Sequence, residues 1–271
     1  MPRRPSFLWH PSSDPADRGR IQPASLLHRC KNVYSQRGDD GIIAEIFSRL
    51  GIERGCFVEF GAWDGVYLAN SRALVERQWN GAFIEADPAK FEKLRRNYVD
   101  CADIRCINEW VGHPGDEGRS IDDIASEHLP GREIDFMSID IDGLEYRILE
   151  TMALRPKAMC IEGGFAWNPA FTKRVPDAVA RNNLAQPLSV MIDIGRGAGY
   201  VPVCFNQNVF LVRSDLSQPF SDIRNDALTL WRDAWFNESD AFRSDLLAFR
   251  SRNPLVRREE GPGFLDLPIG L

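Results

Sequence analysis

The run Phe57-Val58-Glu59-Phe60-Gly61-Ala62-Trp63-Asp64-Gly65 constrains this chain more than any other. An apolar segment of strand length ends in an acid and opens into a turn bracketed by glycines. In α/β proteins that is how a buried parallel strand delivers a ligand to the carboxyl edge of a sheet. The glycines allow close backbone approach, and Glu59 and Asp64 place carboxylates beside it. A second apolar run, Ala82-Phe83-Ile84, reaches Glu85, 26 positions after Glu59. An acid at the end of the second strand, roughly 20 residues past a glycine turn, is placed to hold a ribose hydroxyl pair. The glycines do not follow G-x-G-x-x-G, so no helix N-terminus is aimed at a pyrophosphate, and the nucleoside expected here lacks one.

Around this point the periodicity alternates. A helix is expected from Gly41 to Leu50, with Asp39 or Asp40 as its cap and Gly51 as its end. Strands are expected at 56–60, 82–86, 103–107, 135–141 and 158–162, and helices at 69–79, from Asp87-Pro88, from Ser120 and after 143. A helix at 184–196 precedes two closely spaced strands, 200–205 and 208–213, near enough for a hairpin. Strands alternating with helices predict an α/β, Rossmann-like, doubly wound and mostly parallel seven-stranded sheet whose last strand is antiparallel. The proline-rich residues 1–25 read as a flexible arm, 26–215 as the ligand-binding domain, and 216–271 as a helical extension and tail.

Composition narrows the function classes. Of 271 residues 44% are hydrophobic and 27% charged, with a formal net charge of −6. That balance argues against nucleic-acid or anionic-membrane partners. No apolar run approaches the roughly 18–20 residues needed to cross a bilayer, and Met1 to Arg20 contains no apolar core of a signal peptide. The six cysteines lack C-x-x-C spacing, which favours reduced thiols in a cytoplasmic protein over zinc.

Four segments in this order resemble the class I S-adenosylmethionine-dependent methyltransferases, and within them the FkbM-type branch. They are Tyr34-Ser35-Gln36 with Asp39-Asp40-Gly41-Ile42-Ile43; Phe57 to Gly65; Phe83 to Pro88; and Asp135 to Glu145. Ser120 to Ile124 and Asn208 to Val212 match more weakly, and the resemblance spans about residues 34 to 213. It implies the fold of that class, S-adenosylmethionine as cofactor, and biosynthetic O-methylation of a hydroxyl on a sugar or related small metabolite. The missing pyrophosphate fingerprint agrees with that cofactor and makes a nicotinamide oxidoreductase a poor reading. The alternative from another class is a non-catalytic nucleoside-binding module that acts through partners.

The resemblance also implies roles. Glu59, Gly61 and Ala62 would lie under the methionine and ribose, Asp64 and Gly65 beside the ammonium group, and Glu85, Ala86 and Asp87 at the ribose. Asn108, Glu109 and Trp110, after the third strand, would meet the adenine, and Ser35 and Gln36 would close over the cofactor. Each of these also has a plain structural reading, as a turn, a cap or a packed side chain. Asp140 is expected at the cofactor and as general base, and His113, in a Gly/Pro-rich loop, is a second candidate base. Asp142, Glu162, Trp167 and Asn168 are expected to meet the acceptor, under a long segment at 163–183. Asp140, Asp142 and Glu162 could hold magnesium. Trp231 and Trp235, spaced i, i+4, suit core packing or a homodimer face formed by the C-terminal helices.

Overall fold

The computed structural model describes residues 11–115, 117–182 and 184–268. In chain order it contains α1 (Pro15–Arg18), a 3₁₀ turn (Leu26–Arg29), α2 (Asp39–Leu50), β1 (Cys56–Phe60), α3 (Arg72–Glu76), β2 (Asn80–Ile84), α4 (Pro88–Asn97) and β3 (Ile104–Ile107). There follow α5 (Ile121–His128), β4 (Phe136–Ile139), α6 (Glu145–Thr151), β5 (Ala158–Glu162), α7 (Asp177–Ala180), α8 (Leu188–Gly197), β6 (Tyr200–Asn206) and β7 (Asn208–Arg213). The chain closes with α9 (Ala227–Asn237), α10 (Asp240–Arg252) and α11 (Pro254–Glu260). The strand order is β3-β2-β1-β4-β5-β7-β6. Pairing is parallel from β3 through β5, and β6 runs antiparallel to β7. This is the mixed seven-stranded, Rossmann-like sheet expected from the alternation of elements, hairpin included. No helix among the described residues is long and apolar enough to cross a membrane.

The chain divides into two compact units. One comprises Arg29–Ile141 and Arg147–Ile161, with strands β1 to β4 and most of β5. Strands β1, β2 and β4 are buried along nearly their whole length because each has neighbours on both sides, whereas β3, at the edge of the sheet, buries only Ile104 and Ile107. The other takes in His10–His28, Asp142–Tyr146 and Glu162–Leu271, so far as these are described. In it Phe165 stacks on Trp231 with centroids 5.2 Å apart, and Trp231 stacks on Trp235 at 5.3 Å. Trp231, Trp235 and Leu246 are buried core, as the packing reading of that helical pair has it.

Several boundaries moved for local reasons. Gly38, in the left-handed region at φ 85, precedes α2 where Asp39 or Asp40 was expected as the cap. Asp40 instead turns back, and its Oδ2 accepts the backbone N–H groups of Val33, Tyr34 and Ser35, each at 2.8 Å. The helix expected over 69–79 shrinks to α3 because Asn70 and Ser71 give their N–H groups to Glu59. Helix α8 starts at 188 rather than 184, since the carbonyls of Leu184 and Ala185 accept from the Trp167 indole. Of the expected arm, residues 1–10 lie outside the described residues. From residue 11 on it is built in rather than loose: Asp14 caps α1, the Ser12 N–H donates to the Asn237 carbonyl, and Gln22 bonds Asp233 and Arg224. Buried Ile21, with Leu26 and Leu27 just beyond the arm, supplies the apolar contact that a solvated arm would lack.

Candidate functional site

Strand order reverses at β1, which lies between β2 on one side and β4 on the other. In open α/β sheets the crevice beyond the carboxyl ends at such a switch point is where ligands collect. Register sharpens the position. Phe60 pairs with Ile84 and with Ile139, and Ile84 pairs with Ile107. The residues next in sequence, Gly61, Glu85, Asp140 and Asn108, therefore leave the sheet side by side.

Gly61 is where the chain crosses this edge. Its φ is +75, and a Cβ there would lie 1.7 Å from the Asp140 carbonyl oxygen, so only glycine lets the β1 and β4 ends meet this closely. Beyond it the turn returns on itself. Asp64 Oδ1 accepts from the N–H groups of Val66 and Tyr67 at 2.9 and 2.7 Å. Gly65, at φ +70, packs on Leu94 and Tyr98, and the Tyr98 hydroxyl donates to its carbonyl. Two bulky residues of the same loop, Trp63 (φ 51) and Leu68 (φ 58), are also left-handed. For side chains of this size that conformation costs roughly 1–2 kcal/mol each, and such strain gathers at functional sites.

Glu59 is buried under this turn. Its carboxylate accepts from Asn70 N at 3.1 Å and Ser71 N at 2.6 Å. Burial pushes its pKa up to about 7; the bonds from Ser71 and Asn70 oppose the rise, and the charge of Asp140 adds to it. A positive group arriving here would relieve both effects. Glu85, also buried, divides its two oxygens between Trp63 N and Asp87 N, each at 2.8 Å. Asn108 Nδ2 donates to the carbonyls of Glu85 and Ala86. Glu85 and Asn108 thus lace the loops after β1, β2 and β3 into one rim. Asp87 does cap α4, accepting from Ala89 and Lys90, and those bonds hold its carboxyl below the usual range.

The remaining expected residues sort by position. Asp140 is exposed just beyond β4. Trp110 is 59% exposed after β3, on a loop closed by bonds between Gly112 N and Arg119 O and between Arg119 N and Trp110 O. Glu109 pairs with Arg119 at 3.0 Å and so faces its own loop. His113 is half-buried further along that loop, with Nδ1 3.1 Å from the Pro114 carbonyl. Ser35 is buried, and its hydroxyl bonds Asp40 rather than facing a ligand; Gln36, half-buried, accepts from Asp39 N through its carbonyl. In the second unit Asp142 is exposed in a left-handed conformation (φ 61), and Glu162 ends β5 half-buried.

Two residues expected at the acceptor are engaged within the second unit. Trp167 is 1% exposed, donates from Nε1 to the Leu184 and Ala185 carbonyls, and stacks on Phe171 at 5.7 Å. Asn168 is committed as well: its N–H donates to Glu260, Nδ2 to the Asp266 carbonyl, and Oδ1 accepts from Ala170. A long loop rich in aromatics must bury them somewhere, and here it buries them in its own unit. What the sequence reading missed lies after β1. Trp63 and Tyr67 are 44% and 41% exposed, with rings 5.9 Å apart edge to face, and Lys90 Nζ stands 5.0 Å from the Trp63 ring centre. The signal was available, because an aromatic between two turn glycines has no strand face to hide on.

No protein-family model matches the chain, and no curated protein matches it. Solved structures are similar to it at low identity. A Staphylococcus aureus protein assigned as a caffeoyl-CoA O-methyltransferase is 12% identical, covering 68% of this chain and 86% of its own, with a TM-score of 0.45. An S-adenosylmethionine-dependent methyltransferase of Aquifex aeolicus is 12% identical over 74% of this chain and 97% of its own, at 0.39. A Galdieria sulphuraria protein assigned as a sarcosine dimethylglycine methyltransferase is 13% identical over 84% and 74%, at 0.40. Likeness at this level fixes neither ligand nor activity for this chain.

Proposed function

We propose that this chain is an S-adenosylmethionine-dependent methyltransferase acting on a hydroxyl of a sugar or related small metabolite. The observation that carries the proposal is the switch-point row of Gly61, Glu85, Asp140 and Asn108 set over a buried carboxyl at Glu59 that is held up to about 7. The donor set fits the cofactor. Glu59 and Asp140 favour its positive groups, and Glu85 keeps acceptor lone pairs beyond the two backbone N–H groups it already serves. Bound there, S-adenosylmethionine would supply a methyl group on a cationic sulfur, which an acceptor oxygen takes as the carbon–sulfur bond breaks.

The chain's own part is positioning and proton management. The glycine turn at Gly61 keeps the backbone flat against the ligand, and Asn108 and Glu85 hold the rim that surrounds it. Asp140, exposed at the same edge, takes the hydroxyl proton as the acceptor oxygen reacts. Holding two reactants in line contributes several kcal/mol to such a reaction, so the lack of a nucleophile–base pair is no objection. The reading needs no divalent ion; turnover that survives a chelator removes magnesium at Asp140, Asp142 and Glu162 from consideration.

Isothermal calorimetry with S-adenosylmethionine tests the proposal. Wild-type protein should bind it, and Glu85→Ala should weaken binding by about 1.5–3 kcal/mol through loss of charge-assisted bonds and of the rim they hold. A wild-type protein that fails to bind the cofactor refutes the reading.

A further inference from the structure

The loop after β1 spends conformational energy on turning two aromatic rings outward. Four of its residues, Gly61, Trp63, Gly65 and Leu68, have positive φ, and two of these are bulky. The Trp63 N–H is pinned to the Glu85 carboxylate, and Tyr67 is brought beside Trp63 because Asp64 caps the intervening turn. The result is an exposed edge-to-face pair at the mouth of the switch-point crevice, not a buried cluster. Lys90 stands over the Trp63 ring. It belongs to α4, which carries Lys90, Lys93, Arg95 and Arg96 against the single acid Glu92 in a chain whose net charge is −6. Asp87 caps that helix and offsets part of its charge.

From this we infer that Trp63 and Tyr67 are the recognition platform for the methyl acceptor, and that the acceptor is a ring-bearing small anion such as an acidic sugar. The inference rests on the methyltransferase reading above and deepens it. A flat C–H-rich or π face stacks on an exposed indole, and a carboxylate or phosphate on that ring is drawn to the Lys90 ammonium and the basic α4. A tightly held Trp63 backbone makes the platform rigid, so little ordering is needed when a ring docks.

The test uses D-glucuronate as probe and methyl β-D-glucopyranoside as its neutral counterpart, with binding followed by saturation-transfer NMR on the full chain. The comparison runs across wild type, Trp63→Ala, Trp63→Phe and Lys90→Gln. Cofactor binding is measured by calorimetry on the same samples, and folding is checked by thermal unfolding. Glucuronate ring protons should receive saturation from wild type. Trp63→Ala should weaken that binding by about tenfold while Trp63→Phe retains most of it, as expected for a ring contact. Lys90→Gln should weaken glucuronate about fivefold and leave the glucoside unchanged, as expected for an exposed charge contact. No glucuronate binding to wild type, or binding unchanged in Trp63→Ala, overturns the platform. A Trp63→Ala protein that loses the cofactor but keeps glucuronate assigns the ring to the cofactor and overturns it too. Equal binding of glucoside and glucuronate overturns the anionic part. Failure of the methyltransferase reading shows separately, as absent cofactor binding in wild type.

Discussion

Two segments of this chain are long, irregular and aromatic, and they treat their aromatic residues in opposite ways. Residues 163–187 enclose theirs: Phe165 and Trp167 are buried, and Gln186 ties the segment by exchanging bonds with both backbone groups of Val175, each at 2.9 Å. Residues 61–70 expose theirs and accept left-handed conformations at Trp63 and Leu68 to do so. Length and composition single out the first segment. The first has one left-handed non-glycine residue, Ala185, whose carbonyl accepts from the buried Trp167 indole, whereas the second has two bulky ones, of which Trp63 is exposed. A loop that stores strain in order to face solvent is a stronger pointer to a site than one that is merely long.

That contrast can be broken by substitution. Gly61→Ala should have the largest effect, since its Cβ would strike backbone 1.7 Å away and the residue would be trapped at positive φ. A loss above about 4 kcal/mol, or no folded protein, is expected in denaturant unfolding, as for other backbone clashes in a packed site. Trp167→Ala should cost about 3–5 kcal/mol by the same measurement, in line with truncating a buried aromatic. If Trp167→Ala left stability unchanged and abolished acceptor binding, the 163–187 segment would be a substrate loop after all. Trp63→Asn should move the other way. Asparagine tolerates the left-handed region, so stability should rise by about 1 kcal/mol while glucuronate binding falls. A loss of stability at Trp63 would mean that the ring is structural.

The fold was largely legible because the buried strands are predominantly apolar and the caps carry their own chemistry. Asp87-Pro88 starts α4, Ser120 starts α5, and Gly51 ends α2, each where its side chain or its freedom of φ requires. The carboxyl-edge acids were legible too, since Glu59, Glu85 and Asp140 each follow an apolar run. What their carboxylates touch was not. Glu85 holds Trp63 and Asp87, Glu59 holds the start of α3, and Ser35 serves Asp40, because backbone N–H groups left over by tight turns claim the nearest oxygen. Nor could composition separate exposed Trp63 from buried Trp167, since that difference comes from backbone conformation and not from residue type.

Glu59 is a buried carboxyl whose raised pKa a neighbouring cation should lower. Glu59, ordinarily near 4.5, is raised to about 7 by burial. The fold's stability is therefore unaffected by it below 4.5 and falls as pH rises towards 7. A cationic ligand bound beside Glu59 must lower that pKa and expel the proton still held. The direct measurement is calorimetry of S-adenosylmethionine binding at pH 6.5 in buffers of differing ionisation enthalpy, repeated at pH 8.5 and in Glu59→Gln. The prediction is release of a substantial fraction of one proton at pH 6.5, little release at 8.5, and none in Glu59→Gln. Binding without proton release in the wild type at pH 6.5, or release that persists in Glu59→Gln, would contradict it.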